Sequence, residues 1–245
     1  MQLGTTDIEK IESAPLAEAL GMIAGYFPGK VVFSSSLGQE DQVITDAIFR
    51  KGLPIRIFTL DTGRLFGESY ELLERTVARY KKNIEVYFPD AFEVEQFVNA
   101  KGVNSFYESV ENRKECCNIR KVRPLNRALQ GAAVWITGLR AEQSEGRKQM
   151  PIIEWMEDKQ LYKFNPLLHW TYGQVLDYIK EFYVPYNPLH DKGYISIGCA
   201  PCTRAIEPGE DPRAGRWWWE TSQKECGLHI NPAAEPKNLN ANPVN

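Results

Sequence analysis

The chain has 245 residues, 43% of them apolar, which is enough for one sizeable core with an appendage. Its net charge of −3 argues against a partner with a nucleic-acid backbone, and no run approaches the roughly 20 apolar residues of a membrane span. The first twenty residues lack a basic segment followed by an apolar run, so no secretory signal is read and a cytoplasmic location is expected, where thiols stay reduced.

In chain order, apolar spacing predicts a helix over 13–26 and a short β-rich strand at Lys30–Ser35. A helix over Glu40–Arg50, a strand at Ile55–Leu60 and a long helix over Phe66–Lys81 follow, the last carrying Glu71, Arg75 and Arg79 along one face. A third strand is expected at Ile84–Phe88, a helix at Ala91–Ala100 and a fourth strand at Ala132–Thr137. Strands separated by helices pair in parallel, so the fold class expected is α/β with a doubly wound, mostly parallel sheet. Ile152–Met156 and Leu161–Phe164 then read as a hairpin around Glu157–Gln160, and Thr171–Phe182 as one more helix. Beyond Tyr183 proline, glycine and charged residues dominate, with Trp217, Trp218 and Trp219 as an aromatic cluster. The organisation expected is one α/β domain over 1–215 and a mobile tail over 216–245, disordered over its last fourteen residues.

Five cysteines in a reducing compartment point to metal binding or catalysis rather than disulfides. They fall as the adjacent pair Cys116 and Cys117, the CxxC pair Cys199 and Cys202, and Cys226. Four can complete one metal site and leave Cys226 over. A structural zinc site and an iron–sulfur cluster both fit; adjacent ligands favour the cluster, whose several irons offer separate attachment points.

Ser34–Asp41, directly after the first strand, places small hydroxyl residues and Gly38 at a strand–helix junction, where backbone N–H groups and the helix dipole can face a phosphate. Ordinary helix capping explains the same residues. Leu60-Asp61-Thr62-Gly63 also lies at a strand's carboxyl end, the edge at which open α/β sheets bind ligands. Cationic residues gather near the cysteines and strand ends: Arg120, Lys121, Arg123, Arg140, Arg204, Arg213 and Arg216. Solvated charge is the default for any one of them, but the guanidinium fork matches phosphate and sulfate oxygens. Cys226 has Lys224 and His229 near it in sequence, and nearby cations raise the thiolate fraction of a thiol. Its flanking glycine and its place beyond the core suggest a mobile, solvent-reaching nucleophile.

Taken together these residues resemble the assimilatory adenylyl-sulfate (APS) and 3′-phosphoadenylyl-sulfate (PAPS) reductases, over nearly the whole stretch from Ser34 to His229. The bacterial iron–sulfur APS branch is the nearest likeness, through Glu115-Cys116-Cys117, Cys199-Ala200-Pro201-Cys202 and Glu225-Cys226-Gly227-Leu228-His229. The resemblance implies a sheet of the PP-loop, adenine-nucleotide α-hydrolase-like type and a [4Fe–4S] cluster on Cys116, Cys117, Cys199 and Cys202. It implies a modified pyrophosphate loop of Ser35, Ser36, Gly38 and Asp41, with Leu60 and Gly63 near the adenosine and Arg140 beside the nucleotide. Lys121, Arg213, Arg216 and His229 would surround the phosphosulfate. Related ATP pyrophosphatases carry an SGGxDS loop, and the departure to Ser36-Leu37-Gly38-Gln39-Glu40-Asp41 argues against ATP cleavage.

The activity implied is reduction of APS to sulfite and AMP through a sulfonate on Cys226. No further CxxC follows, so electrons are expected from a separate dithiol protein such as thioredoxin. PAPS or dual use is the alternative with the same chemistry, and a non-redox nucleotide-binding sulfurtransferase with structural zinc is a more distant one. A homo-oligomer is compatible with all of these readings.

Overall fold

The computed structural model describes residues 3–220, and residues 221–245, Cys226 and His229 among them, lie outside the described residues. Two helices open the chain, α1 (Thr5–Ser13) and α2 (Leu16–Tyr26). The single helix expected over 13–26 is therefore corrected. Pro15 pushes Ala14 into extended backbone and itself caps α2, so the helical run starts again after it.

The next elements follow the expected order: β1 (Val31–Ser35), α3 (Gln39–Arg50), β2 (Arg56–Leu60), α4 (Gly67–Tyr80), β3 (Glu85–Tyr87) and α5 (Ala91–Lys101). Asp90 caps α5 by accepting from Glu93 N–H at 3.1 Å. Two helices that periodicity does not reveal come next, α6 (Val110–Cys117) and α7 (Arg123–Ala128), joined by a π-helical turn over Asn118–Val122. Helix α6 has no apolar stripe, and the side chain it buries is Arg113. The chain continues through β4 (Val134–Ile136), the hairpin β5 (Ile153–Met156) and β6 (Leu161–Phe164), and α8 (Tyr172–Phe182), which Thr171 and Gln174 cap reciprocally.

The six strands lie in the order β3-β2-β1-β4-β6-β5, all parallel except β5 against β6. Side chains alternate along β1. Val31 and Phe33 join the large core shared with α2, α3 and α8, while Val32 joins Phe58, Leu125, Leu129 and Trp135 under α7. Helices on both faces make the sheet doubly wound. The chain passes outward from β1 to β3 and then returns to β4 on the other side of β1, so the switch point lies between β1 and β4.

A third layer closes over the strand ends. Thr203 pairs with Arg216 in an isolated antiparallel bridge. Arg113 grips Glu220 through Nε at 2.6 Å and Nη2 at 3.0 Å, with both side chains buried. Losing one partner of such a buried pair costs about 3–5 kcal/mol. Arg216–Glu220 are thus packed onto the body. No helix among the described residues is long and apolar enough to cross a membrane.

Candidate active site

A cavity of about 330 Å³ opens at the carboxyl ends of β1, β2 and β4, at the switch point. Ser35, Ser36, Gly38, Asp41, Leu60, Lys121, Arg140, Arg213 and Arg216 all line it. Gly63 is not among the lining residues. It sits at φ +71° in the turn after β2, where its N–H donates to Asp61 Oδ1 at 2.7 Å.

The β1–α3 loop is built by Asp41. Its carboxylate accepts from Ser36 N–H at 2.5 Å and Ser36 Oγ at 2.6 Å, which folds the loop back over the first turn of α3. Gly38 starts that helix without a side-chain cap, so the positive end of α3 faces the cavity. Burial, the largest influence, pushes the Asp41 carboxyl up to about 7; the Ser36 hydrogen bonds oppose this and Glu40 adds to it. A protonated carboxyl at this position removes one negative charge from beside a bound phosphate.

Two expected results follow for this loop. Unfolded, the Asp41 carboxyl titrates at its ordinary value, so between about pH 4 and pH 7 the folded protein holds a proton that the unfolded chain has released. Stability from this group therefore falls as pH rises through that window and levels off above it. Against Asp41→Asn, which does not titrate, the wild-type advantage in thermal melting is expected to shrink from pH 5 to pH 8. An advantage that grows with pH would contradict the raised value. The second result concerns Gly138, at the end of β4, where a Cβ would come within 2.0 Å of Asp41 Oδ1 and 3.4 Å of its backbone N. Gly138→Ala is expected to lose about 1–3 kcal/mol of stability and to raise KM for the ligand of this cavity at least tenfold, since Asp41 must leave Ser36. An alanine variant with wild-type melting and KM would show that the loop does not depend on this close approach.

Arg140 is 5% exposed and already engaged: its Nε meets Glu40 Oε1 at 2.8 Å and its Nη1 meets Glu142 Oε2 at 2.7 Å. It lies beside the cavity as expected, with its charge balanced by two carboxylates. The other cations divide. Arg123 pairs with Glu93 on the surface and Arg204 with Glu210, away from the cavity lining. Arg120 donates to the Thr62 carbonyl at 2.7 Å and so ties the end of β2 to the cysteine segment. Successive residues of this π-helical turn point to different faces, as in any helix. Arg120 reaches Thr62 and Lys121 reaches the cavity wall. Arg216 is sandwiched. A Cβ on Gly198 would fall 2.3 Å from its Nη2, and its guanidinium lies 4.6 Å over the Trp217 ring on the other side.

The cysteines sit beside this cationic wall. Cys199 and Cys202 are buried in one apolar cluster with Phe106 and Trp217, and Cys116 packs against it. Cys117, next along α6, interacts with Arg113. Thr62 Oγ1 lies 3.3 Å from Cys199 Sγ. Burial pushes the Cys202 thiol up to about 12, with Cys199 adding to the rise and Lys121 and Arg216 opposing it; burial raises Cys116 as well. Among the described residues the buried Trp217 indole N–H has no hydrogen-bond partner. Among the described residues no three His, Cys, Asp or Glu side chains are gathered closely enough to hold a single metal ion.

Several residues lining the cavity escaped the sequence reading: Trp135, whose Nε1 donates to Ser34 Oγ at 2.8 Å, Tyr172, whose hydroxyl donates to Gln39 at 2.8 Å, and His190. Trp135 stands inside the fourth expected strand, and no local motif marks the other two.

Comparison with known proteins follows the geometry. The family model for the phosphoadenosine phosphosulfate reductase domain matches residues 30–205. A protein from Sinorhizobium fredii strain USDA 257, named adenosine 5′-phosphosulfate reductase, is 51% identical over 227 residues, 92% of this chain and 90% of that one. Proteins of the same name from Burkholderia cepacia and Allochromatium vinosum are 54% and 49% identical, over 82% and 98% of this chain and 81% and 93% of their own. Among solved structures, the phosphate complex of phosphoadenylyl-sulfate reductase from Candida auris aligns with a TM-score of 0.70 at 30% identity, covering 84% of this chain and 99% of that one. FMN adenylyltransferase from Candida glabrata, with ATP, shares the fold alone, at a TM-score of 0.54 and 15% identity over 86% of this chain and 70% of its own.

Proposed function

The chain belongs to the phosphoadenosine phosphosulfate reductase family, and from that premise we propose a thioredoxin-dependent reduction of APS to sulfite and AMP in the cytoplasm, with Cys226 as nucleophile. The observation that carries the reading is the meeting, at one cavity, of a phosphate-type loop with a cationic wall that continues into the cysteine cluster.

Ser35, Ser36, Gly38 and the amino end of α3 bind the phosphate, and Asp41 holds that loop in shape. Leu60 borders the adenosine, with Gly63 shaping the turn behind it by its N–H bond to Asp61, and Arg140 closes the β4 side of the nucleotide. Lys121, Arg213 and Arg216, with His229 from outside the described residues, neutralise the phosphosulfate. The Cys226 thiolate attacks the sulfate sulfur; the S–O bond to phosphate breaks, AMP leaves and Cys226 carries a sulfonate. The cations stabilise the charge that builds on the departing phosphate. A thiolate of the dithiol protein then attacks Cys226 Sγ and expels sulfite, and its second thiol resolves the mixed disulfide and regenerates the Cys226 thiolate. Both electrons come from the dithiol.

Cys116, Cys117, Cys199 and Cys202 fit a [4Fe–4S] cluster. The donor set is all sulfur, three of the four thiols share one apolar cluster, and the unpartnered Trp217 N–H is a donor that thiolate or sulfide would accept from. When bound, the cluster supplies fixed charge beside the phosphosulfate rather than electrons.

Substrate choice is the test of this reading. APS is expected to exceed PAPS in kcat/KM by at least about 10²-fold, because a 3′-phosphate brings charge that Glu40 and Glu142 have already denied to Arg140. Equal or better turnover of PAPS in the same assay would move the assignment to the PAPS branch.

A further inference from the structure

His190 lines the cavity described above and also a second, more open one of about 550 Å³ bounded by Gln39, Tyr172, Leu176 and Tyr186. Its ring stands in the wall between the two. Both ring nitrogens are buried, and among the described residues neither has a well-formed hydrogen bond, the Tyr194 backbone making a weak one at most. Burial holds the ring's pKa below its ordinary value, against the opposing pull of Glu40 and Asp191, so the imidazole is neutral at pH 7. A neutral imidazole offers one donor and one acceptor; the Tyr194 carbonyl can serve the donor at most, and an acceptor left unmet in a buried wall is unfavourable. The neighbouring polar side chains are committed elsewhere. Tyr172 donates to Gln39, Asn187 to Ser69, and Glu40 accepts from Arg140.

We propose that His190 is a substrate-binding residue that hydrogen-bonds the AMP moiety, in the part of the cavity away from the cysteines. The end of the cavity is fixed by its neighbours. His190 lines the second cavity with Gln39, Tyr172 and Asp191, whereas Arg216 packs over Trp217 of the cysteine cluster. His190 therefore stands with the β1–α3 loop and Tyr172, and the sulfate stands with the cations. The proposal rests on the nucleotide reading of the cavity given above.

The test uses the full chain with its cluster. His190→Phe keeps a ring of similar size and removes both polar atoms, and His190→Gln keeps a donor and an acceptor. His190→Phe is expected to raise Kd for AMP and KM for APS by the same factor, about tenfold, with kcat within about threefold of wild type. His190→Gln is expected to recover most of the affinity. Ring-nitrogen NMR of the wild-type protein, with His169, His190 and His229 to assign, is expected to show the His190 signals move when AMP is added, and this reading needs no variant to fold. Wild-type AMP affinity in His190→Phe, or His190 ring signals indifferent to AMP while the enzyme binds AMP and turns over APS, would overturn the proposal and leave the activity standing. A protein that neither binds AMP nor turns over APS would overturn both.

Discussion

Replacing Cys226 by serine is expected to lower sulfite release by on the order of 10⁴-fold or more, because the two-step transfer has no other covalent carrier. Serine is a far weaker nucleophile at neutral pH and forms no mixed disulfide with a dithiol, so both half-reactions fail together. The loss should leave the rest of the site in place. The hydrogen bonds that shape the loop of Ser35, Ser36 and Asp41 and the apolar packing of Cys199, Cys202 and Cys116 run among residues other than Cys226. APS affinity and the visible absorption of the cluster are therefore expected to match wild type. A serine variant that still turned over would remove Cys226 from the mechanism, and one that lost colour would make it a ligand.

Changing Cys116, Cys117, Cys199 or Cys202 to serine is expected to have the opposite profile. Visible absorption disappears, thermal stability falls by several degrees and activity drops at least about 10²-fold, with Cys226 untouched. The reason is local. Cys199 and Cys202 are buried with Phe106 and Trp217, and these cysteines have raised thiol pKa values for Cys202 and Cys116, so without a cationic centre the pocket favours neutral thiols. Metal analysis of an anaerobic preparation decides the identity of the centre. Iron and acid-labile sulfide near four each per chain fit the account, and stoichiometric zinc without sulfide contradicts it.

The two profiles separate the covalent step from the electrostatic frame, and the fold shows why the residues for each were unequally visible in sequence. Strands β1, β2 and β4 are short β-branched and aromatic runs, and α3, α4 and α8 carry apolar faces, so periodicity finds them and places the loop after β1. Helix α6 escapes the same reasoning because it turns Arg113 inward, and the partner that makes this tolerable, Glu220, lies 107 residues away. Ser109, which accepts from Asn112 N–H at 3.1 Å, was the one local sign of its start. The break between α1 and α2 was written in Pro15 and overridden in the reading by the apolar spacing on either side.

Among site residues, spacing singled out the cysteines because paired thiols carry their own signature, and the structure brings three of them into one cluster. Arg140 was visible as a cation at a strand end, but its engagement with Glu40 and Glu142 depends on α3 packing beside β4 and no local pattern encodes it. His190 lies in a proline- and glycine-rich stretch without periodicity, and what marks it is a buried ring without a well-formed partner among the described residues, which only the folded surroundings reveal. Gly138 likewise reads as an ordinary turn glycine until Asp41 is seen 2.0 Å from where its Cβ would be.

The central claim, that the sulfur is carried on Cys226, is tested most directly by incubating the wild-type protein with APS in the absence of any reductant and mapping the product by peptide mass spectrometry. The account predicts stoichiometric AMP release and a gain of about 80 Da, the mass of SO₃, on the peptide containing Cys226, removed by reduced thioredoxin with release of sulfite. An adduct on any other residue, or turnover by thioredoxin without an adduct forming on Cys226, would contradict it.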